Sequence, residues 1–269
     1  MVYIPPPAGA PRLNAYLVTD FSDEELQKFK HAFEFGTCAP FSPMLELVIQ
    51  RAPAHYLGKS FKYLRTEETG AGRKDPFVLI DEGAKGGRDG AVWYVDRFAD
   101  QQEVDDGEAE STNVVWRIYV KTDCLPLTYV NYDIANMSIG EDLDNAGVEM
   151  PVTEHFVQEE VSDCGGLDME DERNSHDAWI VAGPGEFEES TDEELRNNFM
   201  PRPDKVARLK EHVAKANGLV NRWTLCGGVR PRKMPDGSLQ EFPKGSVTLQ
   251  LRYDPHFEWP AYKWPEGSL

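Results

Sequence analysis

No apolar stretch in these 269 residues approaches the roughly 20 needed to cross a bilayer as a helix. The opening MVYIPPPAGAPRLN lacks the basic start and apolar middle of a secretion signal, so a cytoplasmic, non-membrane protein is expected. Cysteine is scarce. The four residues Cys38, Cys124, Cys164 and Cys226 contain no CxxC pair, which argues against a zinc cage and a dense disulfide framework and leaves reduced thiols as the expectation. Also absent are GxSxG, HExxH and the Walker and dinucleotide-binding glycine spacings. Gly83, Gly86, Gly87 and Gly90 follow none of these and lead into a strand rather than a helix. No cofactor is expected.

Basic residues are in short supply: 28 Lys and Arg face 47 Asp and Glu, for a net charge of −19. The shortage has a location. Residues 1–99 carry 12 basic and 13 acidic side chains, residues 100–200 carry 4 and 27, and residues 201–269 carry 12 and 7. A negative protein repels nucleic acid at long range, so nucleic acid is not an expected partner despite the basic end. The simpler role for those cations is to neutralise part of the acidic middle from within the chain.

Apolar material is ample, with 40% hydrophobic and 11% aromatic residues, and a packed core follows. Pro5, Pro6 and Pro7 favour an extended leader over residues 1–12. LNAYLVTDF reads as a buried strand, and Ser22 with Glu25 forms a capping box that opens a helix to about Phe35, with Gly36 at its stop. Ser42 and Pro43 suggest a second helix running to Pro53. The runs 76–83 and 91–98 read as a hairpin or adjacent strands, and NVVWRIYVKTD alternates with Val114, Trp116, Ile118 and Val120 on one face. TYVNYDI reads as its partner strand across Pro126. Beyond Gly147, acidic loops surround one strand at 178–183, and Thr191 with Glu194 offers a second capping box. Pro203 opens a helix to Asn217, which Gly218 ends, and RWTLCGG and SVTLQLRYD close the chain as strands, with turns at Pro235–Gly237 and Lys244–Gly245.

The fold class expected is α+β, a mostly antiparallel sheet with helices packed to one side and room for two sub-domains. The expected divisions are the leader 1–12, an α+β domain over 13–150, and a 151–269 region of acidic loops, a helix and C-terminal strands packed on the first domain.

LVTDFSDEE, FVLID and YDIANMSIGED, anchored at Asp20, Asp81 and Asn136, resemble a family of uncharacterised, mainly bacterial α+β domains. The likeness covers about residues 13–145, while residues 99–112 and everything after 150 depart from it. It implies a fold and carries no established chemistry.

Two His–carboxylate pairs stand in the acidic stretch, Glu154–His155 and His176–Asp177. An imidazole titrates near neutrality and a carboxylate can share its proton work, so these four are the catalytic candidates. Ordinary satisfied histidines are the plain alternative, and adjacent strand residues face opposite ways, so a His need not use its neighbour. His176 leads because it precedes an apolar strand, where pockets open. Arg230 and Arg232 follow Cys226–Gly227–Gly228, where bare backbone would admit a phosphate or carboxylate, unless the stretch is simply a loop ending a strand. Trp259 and Trp264, in HFEWPAYKWP, would wall a ligand site or staple the segment to the body. No metal site is expected. A calcium loop from Asp142 would place Ala146 fifth and Thr153 twelfth, and Asp168 with Glu170, Asp171 and Glu172 lacks a DDxxD spacing.

These readings make the protein a soluble intracellular enzyme that acts on a small molecule by carboxylate and His acid–base chemistry without a nucleotide cofactor. The alternative is a non-catalytic acidic interaction protein that binds a basic protein partner.

Overall fold

The computed structural model describes residues 2–5, 9–37, 43–233 and 238–269. Pro6, Pro7, Cys38, Ser42 and the turn at Pro235–Gly237 lie outside the described residues. The fold is α+β, and the chain divides into two compact units, Ala8–Glu170 with Ala261–Leu269, and Asp171–Pro260 with Met1–Pro7.

The larger unit is built on β1 (Arg12–Leu17), α1 (Asp23–Gly36), β2 (Glu46–Arg51), α2 (Phe61–Gly70), β3 (Phe77–Ile80), β4 (Ala91–Phe98), α3 (Gln101–Asp105), β5 (Val115–Lys121), α4 (Leu125–Asp133) and α5 (Ile139–Asn145). Its sheet runs β2-β1-β3-β4-β5, with β2 and β3 parallel to β1 and the remaining pairs antiparallel. Leu13, Ala15, Leu47, Ile49, Val78, Ile80, Val92, Trp116, Ile118 and Val120 form one buried face with Phe29 and Phe33 of α1, Leu125 of α4 and Leu143 of α5. Tyr16, Phe77, Leu79, Val95 and Val115 form the other with Tyr56 and Leu64 of α2. Burial on both faces explains why β3 is an unbroken apolar run.

Local signals set several elements. In the α1 capping box, the Ser22 N–H donates to Glu25 at 2.7 Å and the Glu25 N–H to Ser22 Oγ at 3.2 Å. β5 carries the expected alternating face. The hairpin forms as β3 and β4, joined by 3₁₀ turns over Glu82–Asp89.

Two expectations in this unit are corrected. The stretch after Pro43 leads into the strand β2, where Leu47 and Ile49, with Leu45 just before the strand, are buried at every second position. TYVNYDI is helical. Pro126 falls in the first turn of α4, where its missing N–H has no role, and Tyr129 and Tyr132, three residues apart, both meet Tyr94, with ring centres at 6.5 and 5.7 Å.

The boundary between the units falls within α6 (Met169–Asn174). The smaller unit contains β6 (Asp177–Ala182), β7 (Phe187–Ser190), α7 (Glu193–Arg196), β8 (Val206–Leu209), α8 (Glu211–Ala216), β9 (Thr224–Gly228), β10 (Arg232–Lys233), β11 (Leu239–Gln240) and β12 (Val247–Arg252). Its main sheet, β6-β12-β9-β8-β7, is antiparallel throughout. The helix expected from Pro203 is instead strand then helix. Buried Val206, Ala207 and Leu209 sit between β7 and β9, and only α8 remains helical. The α7 cap is Asp192 rather than Thr191, its Oδ1 accepting from the N–H groups of Glu194 and Leu195.

The basic segment is paired within this unit. Arg208 meets Glu188 at 3.1 Å, Arg202 meets Glu193 at 3.0 Å, Arg222 meets Asp177 at 2.8 Å, and Lys205 bonds Glu189. No helix among the described residues is long and apolar enough to cross a membrane.

Candidate functional site

The structure places the two His–carboxylate pairs on different units. In the larger one, Glu154 accepts from Lys62 Nζ at 2.9 Å and from Ser111 Oγ at 3.5 Å, and the Lys62 bond holds its carboxyl below the usual range. His155 beside it is exposed. In the smaller unit, Asp177 opens β6 and takes Arg222 Nη2 at 2.8 Å on Oδ1 and Gln250 Nε2 at 3.0 Å on Oδ2, with Arg252 Nε 3.9 Å away. It ties three segments together. His176 stacks on Tyr253 with ring centres 5.7 Å apart, and burial pulls its imidazole below the ordinary pKa against the opposing charges of Asp177 and Glu172.

Arg230 is exposed on a shallow pocket of about 390 Å³ in the smaller unit, beside Phe242, Lys244 and Ser246. Arg232 is exposed on β10. The two tryptophans are also on different units. Trp259 packs edge-on against Tyr253 at 5.3 Å and donates to the Asp254 carbonyl at 2.9 Å. Trp264 donates to Glu34 of α1 at 2.7 Å, lies 5.6 Å from the Phe33 ring, and has Lys30 Nζ 5.1 Å from its ring centre. Each fastens its own segment.

Chemistry converges elsewhere. A cleft of about 350 Å³ opens in the larger unit where the end of β4 meets α3, β5, α4 and the start of α5. Asp96, Glu103, Glu108 and Glu141 bring four carboxylates, and Trp116, Tyr132, Met137 and Ile139 supply the apolar wall. Two of the acids are engaged. Glu103 takes both Arg97 Nη groups at 2.9 and 2.7 Å, the Asp100 N–H at 2.7 Å and Trp116 Nε1 at 3.1 Å. Burial raises its pKa, and these donors outweigh that and leave it lowered. Glu141 caps α5 through the Ser138 N–H at 2.7 Å and is likewise lowered.

Asp96 behaves in the opposite way. Burial pushes its carboxyl above the ordinary aspartate range, against the nearby charges of Arg97 and Arg65. Arg97, the basic residue of the lining, is already committed to Glu103. At the rim, Ala135 holds a left-handed φ of 53°, an unusual backbone state for a residue with a side chain.

A second cleft of about 170 Å³ in the same unit is lined by Asp142, Asn145, Glu160, Ser162 and Asp163. Asp142 joins the two clefts. Tyr132 donates to its Oδ2 at 2.6 Å and Ser162 to its Oδ1 at 3.0 Å.

Sequence reading passed over Asp96, Glu108, Tyr132 and Glu141. Asp96 stands at the end of AVWYVDRF, where a lone acid after an apolar run reads as a strand terminus, and its cleft neighbours come from four other elements. Among the described residues, no three His, Cys, Asp or Glu side chains gather closely enough to hold a metal ion. Comparisons with family models, with curated proteins and with solved structures found no match.

Proposed function

We propose that the chain is an enzyme that acts on a small polar or cationic molecule in the larger unit's acidic cleft, with Asp96 as its acid–base group and no nucleotide cofactor. The observation that supports this reading is the raised Asp96 carboxyl on a concave, half-apolar wall where Glu103 and Glu141 are already tied down. A carboxyl shifted toward neutrality gives up or takes a proton more readily at working pH than an ordinary aspartate does. The negative lining favours a substrate carrying an amine, and the Trp116 edge and Met137 offer it an apolar contact.

The test is a panel of small amines, amino acids and sugars, screened by thermal shift and tryptophan fluorescence on the wild type and on Asp96→Asn. A ligand that stabilises the wild type and is turned over only when Asp96 is present supports the reading. A panel without hits, or equal turnover by Asp96→Asn, overturns it.

A second reading, a non-catalytic acidic surface for a basic partner, draws on the second cleft, whose lining includes Asp142, Glu160 and Asp163 and no basic residue. It expects salt-sensitive capture of a basic peptide that Asp96→Asn leaves unchanged and that charge reversal at Glu160 and Asp163 weakens.

A further inference from the structure

Cys124 and Cys164 stand forty positions apart in the sequence and meet in the larger unit. Cys124 lies at the N-terminal cap of α4 and is 1% exposed, whereas Cys164 is only partly buried, in a turn before Gly165 and Gly166. The Cys164 sulfur is 3.6 Å from the Cys124 carbonyl oxygen and 3.4 Å from Thr128 Oγ1. In the first of these contacts the Cys164 S–H is the donor, which sets the two residues side by side. The backbone at this turn is unusual. Cys164 has a φ of 59°, in the left-handed region that side chains disfavour, and Gly165 and Gly166 follow at 72° and 77°.

The two thiols are unlike. The neighbouring Cys124 side chain, with Thr128, favours the Cys164 thiolate against the opposing effect of burial, and the same pairing keeps the Cys124 proton in place. One sulfur belongs to a partly exposed residue and is favoured as the thiolate, and the other is protonated, buried and adjacent. That is the arrangement of an attacking and a resolving thiol.

We propose that Cys124 and Cys164 are a reversible redox pair, in which a hydroperoxide oxidises Cys164 and Cys124 then closes a disulfide. The Cys164 thiolate attacks the terminal peroxide oxygen and the O–O bond breaks. The departing hydroxide or alkoxide leaves as water or alcohol after taking up a proton, and a sulfenic acid remains on Cys164. The Cys124 sulfur attacks that sulfenic sulfur and its proton goes to the departing hydroxide. The S–O bond breaks, water leaves and the S–S bond forms. Two electrons pass from the sulfurs to the peroxide, and a dithiol reductant returns the pair to thiols. The step is independent of the acid–base reading of the cleft. It would cross-link the start of α4 to the 163–166 turn, closing the segment that carries Tyr132, Met137 and Glu141.

The sequence makes the test direct. Lys121 and Arg173 are trypsin sites with no Lys or Arg between them, so both cysteines leave in one peptide, 122–173. The reduced full chain is treated with hydrogen peroxide, quenched with iodoacetamide, digested and weighed. The expected product is peptide 122–173 lighter by two hydrogens and carrying no alkyl group. Cleavage after glutamate should leave its two cysteine fragments joined, and dithiothreitol should restore uptake of two alkyl groups. A chain with Cys38→Ser and Cys226→Ser should behave identically, and Cys164→Ser should leave Cys124 reduced. A peptide that still takes two alkyl groups after peroxide overturns the proposal. So does one with sulfinic acid on Cys164 and free Cys124, or a cross-link running to Cys38 or Cys226. If Cys164→Ser fails to fold, the wild-type and double-variant masses still decide.

Discussion

The guanidinium of Arg117 lies 3.8 Å from the centre of the Phe156 ring, and its Nη2 donates to the carbonyl oxygen of that same residue at 2.9 Å. Phe61 covers it at 4.6 Å and Trp93 at 5.9 Å, and the residue is 6% exposed. Its other recorded acceptor is the Val115 carbonyl at 3.4 Å, and Nε is buried without a partner among the described residues. No carboxylate among the described residues balances the charge there, and burial lowers its pKa from 12.5 to about 10. The unfolded chain binds this proton more tightly, so the cost of burying the charge is present throughout the neutral range and eases only as pH rises above 10.

Stacking and the packed methylenes therefore hold Arg117, not an ion pair. Arg117→Ala removes that volume and is expected to cost about 3 kcal/mol in urea unfolding. Arg117→Met keeps most of the volume, sheds the desolvated charge, and should cost at most about 1 kcal/mol. Equal losses in the two variants would show that the charge itself is what the site requires.

Glu68 is buried under the opposite condition. Its Oε1 accepts from the Tyr16 hydroxyl at 2.9 Å and from the Tyr56 hydroxyl, and Arg73 reaches both carboxylate oxygens at 2.7 Å. Burial pushes the carboxyl up, and the Arg73 and tyrosine bonds outweigh it, leaving the pKa below 4.5. A depressed acid contributes stability above its unfolded pKa and loses it as pH falls through the folded one. Glu68→Gln should therefore cost about 2 kcal/mol at neutral pH, and its deficit should shrink as pH falls below 4.5. Urea midpoints for the two proteins on either side of that pH check both statements, and a deficit that does not change with pH would contradict the second.

The contrast between Arg117 and Glu68 also marks what sequence could reveal. The α1 capping box was readable because its donor and acceptor, Ser22 and Glu25, lie three residues apart. The β5 face was readable because its period of two survives burial on both sides. The errors came where distant partners decide. β2 became a strand because β1 offers a ladder thirty-four residues away in the sequence, which no local pattern after Pro43 announces. β8 lies between two strands, so burial of Val206 and Leu209 overrode a pattern that also fits a helix. The α4 aromatics suit strand or helix equally, and Tyr94 settled it. Nothing near Asp96 or Cys164 in the sequence points to Glu108 or Cys124. Only the fold brings those partners into reach.

Gly36 shows the same dependence on a distant partner and can be tested with a matched control. Read from sequence it is a helix stop, yet it is the last residue of α1 rather than the residue after it, and its φ is not among the left-handed ones. The glycine is needed for another reason. A Cβ at Gly36 would collide with the Asp123 carbonyl at the junction of β5 and α4, which is backbone and cannot swing aside. Gly36→Ala is expected to cost about 3 kcal/mol, because α1 must shift away from the sheet that buries Phe29 and Phe33. Gly70, the last residue of α2, has nothing within 4 Å of where its Cβ would lie. Gly70→Ala should stabilise the protein by about 0.5 kcal/mol, through higher helix propensity and a less flexible unfolded chain. Urea unfolding of both variants should move in opposite directions. If Gly36→Ala is as stable as the wild type, α1 does not approach Asp123 this closely.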